Sequence, residues 1–429
     1  MELTLLGTGA PDGLPRPHCP CAACATARGP LARAATALLV DGAVLLDLTP
    51  GAALAAARAG HSLSGVRQVL LTHPHDGPAV ELPAGLPTAG RVADGRVLTL
   101  ISGHRVRAVP MDSPGTGYEV TAPGGERLLY LPPGGAPAGL PEGNGNGDRA
   151  DGGNGSRTGR GGTRSAREAA PAPYDMLLAD VIGRPDALAR LRAAGSVGPT
   201  TDIIAVHIGH DVPPGAELDR RLAAAGARAV PDGTTLTVGE YHAVPDLPRR
   251  TLVTGGARSG KSFEAERRLA AFPGVLYVAT GGARDGDPEW RARVAAHRDR
   301  RPGSWRTAET CDLVPVLTGA GPPVLVDCLS LWLTDAMDRV GAWDDEAWEA
   351  GSRPARAALR ERAAELVGAV RATRRTVVLV TNEVGSGVVP ATASGRRFRD
   401  ELGRLNAAVA AECEHVLLVV AGQALTLRG

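Results

Sequence analysis

The chain has 429 residues, 43% of them hydrophobic, and a formal net charge of +1 at pH 7. That length calls for roughly two or three domains, and the near-zero charge offers no general attraction for nucleic acid or an anionic membrane. No stretch approaches the ~20 uninterrupted apolar residues of a membrane span, and Met1–Gly7 lacks the basic and apolar regions of a signal peptide, so a cytoplasmic protein is expected.

In chain order, the first segment, to about residue 135, carries short apolar runs bounded by Gly, Pro and Asp: 3–6, 43–46 and 68–71. Such runs suit short strands in a partly covered sheet. Cys19, Cys21 and Cys24 cluster near the start, a spacing that suggests a metal site, while Cys311, Cys328 and Cys413 are scattered and read as small buried hydrophobes. From about 134 to 173 the composition collapses into Gly, Asn, Ser, Arg, Pro and Asp, which cannot bury enough apolar area to offset the entropy of ordering, so a disordered insertion is expected there. A strand at 174–180, a helix at 185–194, a strand at 203–206, a further helix and a strand ending near Val238 complete a first domain at 1–243. Residues 244–249 read as a linker to a second domain at 250–429.

The second domain alternates strands and helices: strand 251–254, helix 261–271, strand 275–279, helix 288–298, strand 323–327, helix 353–372, strand 376–380, helix 395–412 and strand 415–420. That alternation implies a mainly parallel sheet. Between its first strand and helix lies Gly255-Gly256-Ala257-Arg258-Ser259-Gly260-Lys261-Ser262, a complete G-x-x-x-x-G-K-S phosphate loop in the expected strand-to-helix context. The glycines let backbone N–H groups close around phosphate oxygens at a helix N-terminus, where Lys261 would bridge the outer phosphates and Ser262 would ligate Mg²⁺. Of the 47 Lys and Arg residues one is lysine, Lys261, leaving 47 − 1 = 46 arginines. Lysine is a compact point charge on a slim stem, so position 261 is expected to need that shape. Asp327 ends an apolar strand, the form either of a carboxylate that holds the Mg²⁺ shell or of a helix cap.

His297 closes the fourth of these elements and is followed by Arg298, Arg300 and Arg301. A neutral imidazole is a capable nucleophile toward phosphorus, and the arginines would stabilise the charge that develops. On the phosphate loop, the 297–309 stretch, Val378-Leu379-Val380-Thr381-Asn382-Glu383-Val384-Gly385, and Arg397-Phe398-Arg399-Asp400 through Gly403 and Asn406, the second half resembles the bifunctional adenosylcobinamide kinase / adenosylcobinamide-phosphate guanylyltransferase family. The resemblance implies a RecA-like P-loop fold with a tendency to trimers. It also implies phosphorylation of adenosylcobinamide by ATP or GTP, then transfer of GMP from GTP through a guanylylated His297. It places guanine-nucleotide contacts at Thr280, Gly281, Arg298, Asp299, Arg301, Glu309 and Asp327.

In the first half, Thr72-His73-Pro74-His75-Asp76-Gly77-Pro78 resembles the H-x-H-x-D-H signature of metallo-β-lactamase-fold hydrolases. With Leu5-Leu6-Gly7-Thr8-Gly9, the cysteine cluster and His207-Ile208-Gly209-His210, it is similar to the cyclic-phosphate phosphodiesterases of phosphonate breakdown, which implies an αββα sandwich. Asp76 comes one place early, and Gly77, Pro78, Ser113 and Pro133 stand where metal ligands are expected, leaving His73, His75 and His207. The resemblance also implies a structural zinc site of Cys19, Cys21, Cys24 and His210, with His18 and His242 as competitors for the fourth place. The expectation is a zinc-stapled, catalytically silent module ahead of a nucleotide enzyme. The alternatives are an active metallohydrolase fused to a P-loop enzyme and a nucleotide-gated regulator.

Overall fold

The structure, a computed structural model, describes residues 1–73, 82–140, 172–240, 242, 248–281, 301–349 and 354–429. His75, Asp76, Gly77, Pro78, most of the Gly-rich insertion and of the linker, and the helix expected at 288–298 with His297, Arg298 and Asp299 lie outside those residues. The chain forms two compact units, Met1–Leu222 with Ala227–Val244, and Pro245–Gly429 with Ala223–Gly226.

The first unit contains β1 (Glu2–Gly7), β2 (Ala37–Val40), β3 (Val44–Leu46), β4 (Gln68–Leu70), β5 (Val97–Thr99), β6 (Arg105–Pro110), β7 (Thr116–Thr121), β8 (Arg127–Tyr130), β9 (Met176–Ala179), β10 (Asp202–Ala205) and β11 (Thr234–Thr237). They build a five-stranded sheet ordered β11-β1-β2-β3-β4 and a six-stranded sheet ordered β10-β9-β8-β7-β6-β5. Side chains alternate between the faces of a strand, and the alternation is visible in β1 to β3. Leu3, Leu5, Leu38, Val40, Val44 and Leu46 meet Val106, Tyr118, Val120, Leu128, Tyr130, Met176 and Leu178 of the second sheet. Leu6, Leu39 and Leu45 turn the other way and pack with Ala56 of the helix Ala52–Arg58. β9 and β10 are buried along their whole length, so both of their faces are covered. The unit has the expected αββα layout.

One buried carboxylate ties the two sheets together. Asp47 follows β3 and is wholly buried. Its Oδ1 accepts from the Thr72 backbone N–H at 2.7 Å. Its Oδ2 accepts from the Thr72 hydroxyl and from the Tyr130 phenol of β8, both at 2.6 Å. Three donors on one buried anion are what such burial requires. Residues 134–137, which composition assigns to the insertion, are part of this fold. Ala136 is fully buried and exchanges hydrogen bonds with Asp112, and Arg184 donates to the Gly134 carbonyl at 2.6 Å.

The second unit contains β12 (Arg250–Gly255), β13 (Leu276–Ala279), β14 (Arg306–Glu309), β15 (Val324–Asp327), β16 (Val377–Asn382), β17 (His415–Val420) and β18 (Gln423–Arg428). They form one seven-stranded sheet, β14-β13-β15-β16-β12-β17-β18, in which every pairing is parallel except β17 with β18. Alternate residues feed two cores, as parallel strands buried on both faces do. Leu252, Val278, Val324, Val326, Val377 and Leu379 join Trp332, Leu333, Leu359, Leu366, Leu402 and Val409. Val253, Tyr277, Leu325, Val378, Val380 and Leu417 join Ala265 and Leu269 of the helix Lys261–Leu269. This is the expected mainly parallel, RecA-like α/β fold. The pattern of apolar runs leaves out β14, β18 and the helices Leu313–Thr318, Leu329–Val340 and Asp345–Glu349. Both missed strands lie at sheet edges, where side chains are largely exposed and no apolar run marks them. Among the described residues, no helix is long and apolar enough to cross a membrane.

Replacing Asp47 by alanine would remove the acceptor of three buried donors, of which the Thr72 hydroxyl has another within reach, His73 Nδ1 at 2.8 Å. At ~1–3 kcal/mol for each unsatisfied buried group, less what relaxation recovers, a loss of about 2–4 kcal/mol is expected. Chemical denaturation followed by far-UV circular dichroism should show an earlier transition for Asp47→Ala; an unchanged midpoint would mean that these bonds add nothing net.

Candidate functional site

The carboxyl ends of the parallel strands are where an open α/β sheet binds ligands, and β12, β15 and β16 bring their polar termini together there. β12 ends at Gly255, in register with Asn382 of β16 and Val419 of β17. A Cβ at position 255 would collide with the Val419 carbonyl oxygen and lie 2.6 Å from Ser259 Oγ, so only glycine fits. The loop then turns through left-handed backbone at Arg258 (φ +58°) and Gly260 (φ +96°) before the helix begins at Lys261. The Gly422 N–H donates to the Ser259 carbonyl at 2.8 Å and the Glu383 N–H to the Gly255 carbonyl at 3.1 Å, which holds the loop from two sides.

Gly256, Ala257 and Arg258 are exposed, whereas Ser259 and Lys261 are buried. The Lys261 ammonium donates back to the Gly256 carbonyl at 3.1 Å, across the mouth of the loop. The hydroxyls of Ser259 and Thr254 are buried and have no hydrogen-bond partner among the described residues. Such donors, a folded-back ammonium and a helix N-terminus make a cradle for phosphate oxygens. Ser262 is the second residue of that helix, and with Asp327 it supplies the hard oxygen donors that Mg²⁺ prefers.

Asp327 ends β15, separated from β12 by β16. Its Oδ2 accepts from the Tyr277 phenol at 2.8 Å. Burial, and then the adjacent Asp327 charge, push the Tyr277 phenol far above its ordinary range, so it stays protonated and donates. The Arg301 guanidinium lies 3.3 Å from the centre of the Tyr277 ring, and its Nε is 3.9 Å from Glu266 Oε1 on the phosphate-loop helix. Thr280 bonds both ways to the Cys328 backbone: its hydroxyl donates to the carbonyl at 2.7 Å and accepts from the N–H at 2.8 Å. Behind the loop, Asn382 donates to Ser330 Oγ at 2.7 Å, and Asn406 links Thr381 to the Asn382 carbonyl.

In the first unit, Cys19, Cys21, Cys24 and His210 bring all four ligand atoms within 4.8 Å of one another. His210 Nδ1 lies 3.2 Å from Cys19 Sγ and 3.6 Å from both Cys21 Sγ and Cys24 Sγ. A tetrahedral zinc site with ordinary Zn–S and Zn–N bonds has S···N edges of about 3.6 Å, so the group fits Zn²⁺. The Cys24 backbone N–H lowers the Cys21 thiol to about 6. His210, rather than His18 or His242, completes the set among the described residues.

Of the histidines expected at a dinuclear hydrolytic site, His73 and His207 are among the described residues, and each is bonded within the fold. His73 Nδ1 sits 2.8 Å from the Thr72 hydroxyl, and His207 is bonded to the main chain. Its Nε2–H donates to the Leu131 carbonyl at 3.0 Å, its ring stacks on Tyr130, and burial pushes its pKa down to about 4. Among the described residues, neither His73 nor His207 belongs to a cluster of three or more potential ligands. A cavity of about 250 Å³ beside the cysteine cluster is lined by Pro133, Asp180, His207, His210 and Asp211, among others. Pro133, which has no donor for a metal, stands at that wall.

Residues 251–427 match the family model for cobinamide kinase / cobinamide phosphate guanyltransferase. The chain is 45% identical over 186 residues to the bifunctional adenosylcobalamin biosynthesis protein CobP of Pseudomonas aeruginosa, covering 98% of that protein and 42% of this one. It is 40% identical over 181 residues to the bifunctional protein CobU of Salmonella typhimurium, covering 95% of that protein and 40% of this one. Through its second unit, the chain belongs to the cobinamide kinase / cobinamide phosphate guanyltransferase family. Among solved structures, the first half aligns with a diphosphatase of the PhnP family (19% identity, 55% of this chain, 96% of that chain, TM-score 0.38). It also aligns with zinc-bound PqqB from Methylobacterium extorquens (19% identity, 55% of this chain, 100% of that chain, TM-score 0.37).

Of the residues the family resemblance singles out, the structure gathers the phosphate loop 255–262 and Asp327 at one end of the sheet. Glu309 and Asp327 flank Ala279 in register, one on each neighbouring strand, with Thr280 and Gly281 just beyond. Arg301 is packed, its side chain 7% exposed, against Tyr277 and Glu266. Sequence reasoning missed Tyr277; its signal was a lone aromatic inside a buried parallel strand beside one that ends in Asp.

The metal cluster gives a direct expectation. The purified chain should carry about one zinc per molecule, as a closed Cys₃His site does. Elemental analysis should find that zinc lost in Cys21→Ser; a zinc-free wild type with all three thiols freely titratable would contradict the assignment.

Proposed function

We propose that the second unit phosphorylates adenosylcobinamide with ATP or GTP and then converts the phosphate to adenosylcobinamide-GDP, using GTP and a guanylylated His297. The observation that carries this reading is the cradle at 255–262, with Ser259 and Thr254 hydroxyls that have no partner among the described residues and the chain's single lysine lying across its mouth. In the kinase step the loop N–H groups and Lys261 hold the nucleotide phosphates, and Lys261 swings from the Gly256 carbonyl to the outer phosphates. Ser262 and Asp327 would hold Mg²⁺, which offsets the charge of the phosphates when bound.

In the transfer step an imidazole nitrogen of His297 attacks the α-phosphorus of GTP. The N–P bond forms as the bond to the bridging oxygen breaks and pyrophosphate leaves. An oxygen of the corrinoid phosphate then attacks the same phosphorus, the N–P bond breaks, and neutral His297 is restored. Arg298, Asp299 and Arg301, with Thr280, Gly281 and Glu309, complete the nucleotide contacts in this reading. Arg301 contributes through its packing on Tyr277 as much as by direct charge. The first unit is a zinc-stapled module without hydrolytic chemistry, since His73 and His207 are tied into the fold.

Product analysis separates the steps. Given adenosylcobinamide and GTP, Lys261→Ala should lose at least about 100-fold in kinase rate, the scale of one removed transition-state donor. His297→Asn should accumulate the phosphate ester without the GDP ester. Equal formation of the GDP ester by His297→Asn and the wild type would sink the covalent route, and an active Lys261→Ala would sink the phosphate-loop assignment.

A further inference from the structure

Asp327 makes a contact that its place in the motif does not require. Its Oδ2 is the acceptor of the Tyr277 phenol at 2.8 Å, across the pairing of β13 and β15. Tyr277 is 4% exposed, and its ring is fixed on both sides. Below, it packs with Val253, Leu325 and Ala265 in the core under the phosphate-loop helix. Above, the Arg301 guanidinium lies 3.3 Å from the ring centre, with Glu266 of that same helix 3.9 Å from Arg301 Nε. A phenol so held has little freedom to follow its acceptor, so the acceptor follows it.

We propose that Tyr277 is a positioning residue for Asp327, clamped between Arg301 and the core so that its hydroxyl fixes one carboxylate oxygen and turns the other toward the Mg²⁺ of the bound nucleotide. The proposal rests on reading Asp327 as the Mg²⁺ carboxylate. Outer partners of this kind orient a ligating carboxylate and raise metal affinity without touching the ion. The clamp also links three parts of the site: the phosphate-loop helix through Glu266, the arginine that follows the histidine segment, and the end of β15. Arg301 acts here through the ring it covers. A cation over an aromatic face is attracted by the ring quadrupole, and this one is largely removed from solvent.

Tyr277→Phe removes the hydroxyl and keeps the ring under Arg301. With a non-hydrolysable GTP analogue bound, Mn²⁺ titration by electron paramagnetic resonance should show about a tenfold weaker site than the wild type. The Mg²⁺ concentration for half-maximal kinase rate should rise with it, while kcat recovers at saturating Mg²⁺. A merely structural role would depress kcat at every Mg²⁺ concentration and leave Mn²⁺ affinity alone; that result would overturn the proposal. Asp327→Asn keeps the two readings apart. If it too binds Mn²⁺ like the wild type, the Asp327 assignment fails; if it weakens binding and Tyr277→Phe does not, the clamp alone fails. Should Tyr277→Phe fold poorly, 3-fluorotyrosine placed at 277 reports the same contact. Its fluorine resonance should shift when Mg²⁺ joins the nucleotide complex, and an unmoved resonance would overturn the proposal.

Discussion

At Gly255 the main chain passes so close to the Val419 carbonyl and the Ser259 hydroxyl that no side chain can be accommodated, and the nucleotide site depends on that approach. It lets a strand buried on both faces turn at once into a helix, so loop N–H groups and the helix N-terminus point into the same space. The turn has a cost: Arg258 occupies left-handed backbone, about 1–2 kcal/mol for a non-glycine residue. Hydrogen bonds from Gly422 and Glu383, in the segments that follow the two flanking strands, offset it. The cradle is therefore a property of the sheet, because the register of β12 with β16 and β17 sets where those donors arrive.

The same sheet explains why the polar residues of this site cluster as they do. Asp327, Asn382 and Gly255 end adjacent strands, and their side chains or carbonyls are each claimed by a neighbour that is itself buried or bonded: Tyr277, Ser330 and Glu383. Preorganised polar groups of this kind need no rearrangement when charge develops, which is where electrostatic catalysis gains most. The first unit uses the same device for a different end. Asp47 collects Thr72 and Tyr130, and His207 is bonded to a backbone carbonyl. Its buried polar groups hold two sheets together, and its cysteine cluster pins the chain start to the segment after β10.

Much of this was legible in the sequence. The phosphate loop is a local pattern in which spacing carries the geometry, the spacing of Cys19, Cys21 and Cys24 suggests a metal, and the buried strands announce themselves as apolar runs. His210, 186 residues beyond Cys24, enters only through the family resemblance. What stayed hidden has a physical reason in each case. β14 and β18 are edge strands with exposed faces, so burial leaves no imprint on their residues. Residues 134–137 look like linker because Gly and Pro dominate them, yet Asp112 and Arg184, distant in sequence, hold them in place. The Tyr277–Asp327 bond joins positions 50 residues apart across two strands, and only the sheet register reveals it. Arg301 reads as one phosphate-facing cation among several, because sequence cannot show which arginine of a run packs on a ring.

The claim on which everything else turns is that the second unit works through a covalent nucleotidyl-histidine and not by direct transfer. Incubation with GTP labelled in the α-phosphate, followed by peptide mapping of the denatured chain, tests it most directly. The account predicts an acid-labile, base-stable GMP adduct on the peptide that contains His297, chased into product when the corrinoid phosphate is added. A chain that forms product while carrying no label, or that carries it on another residue, would contradict the account.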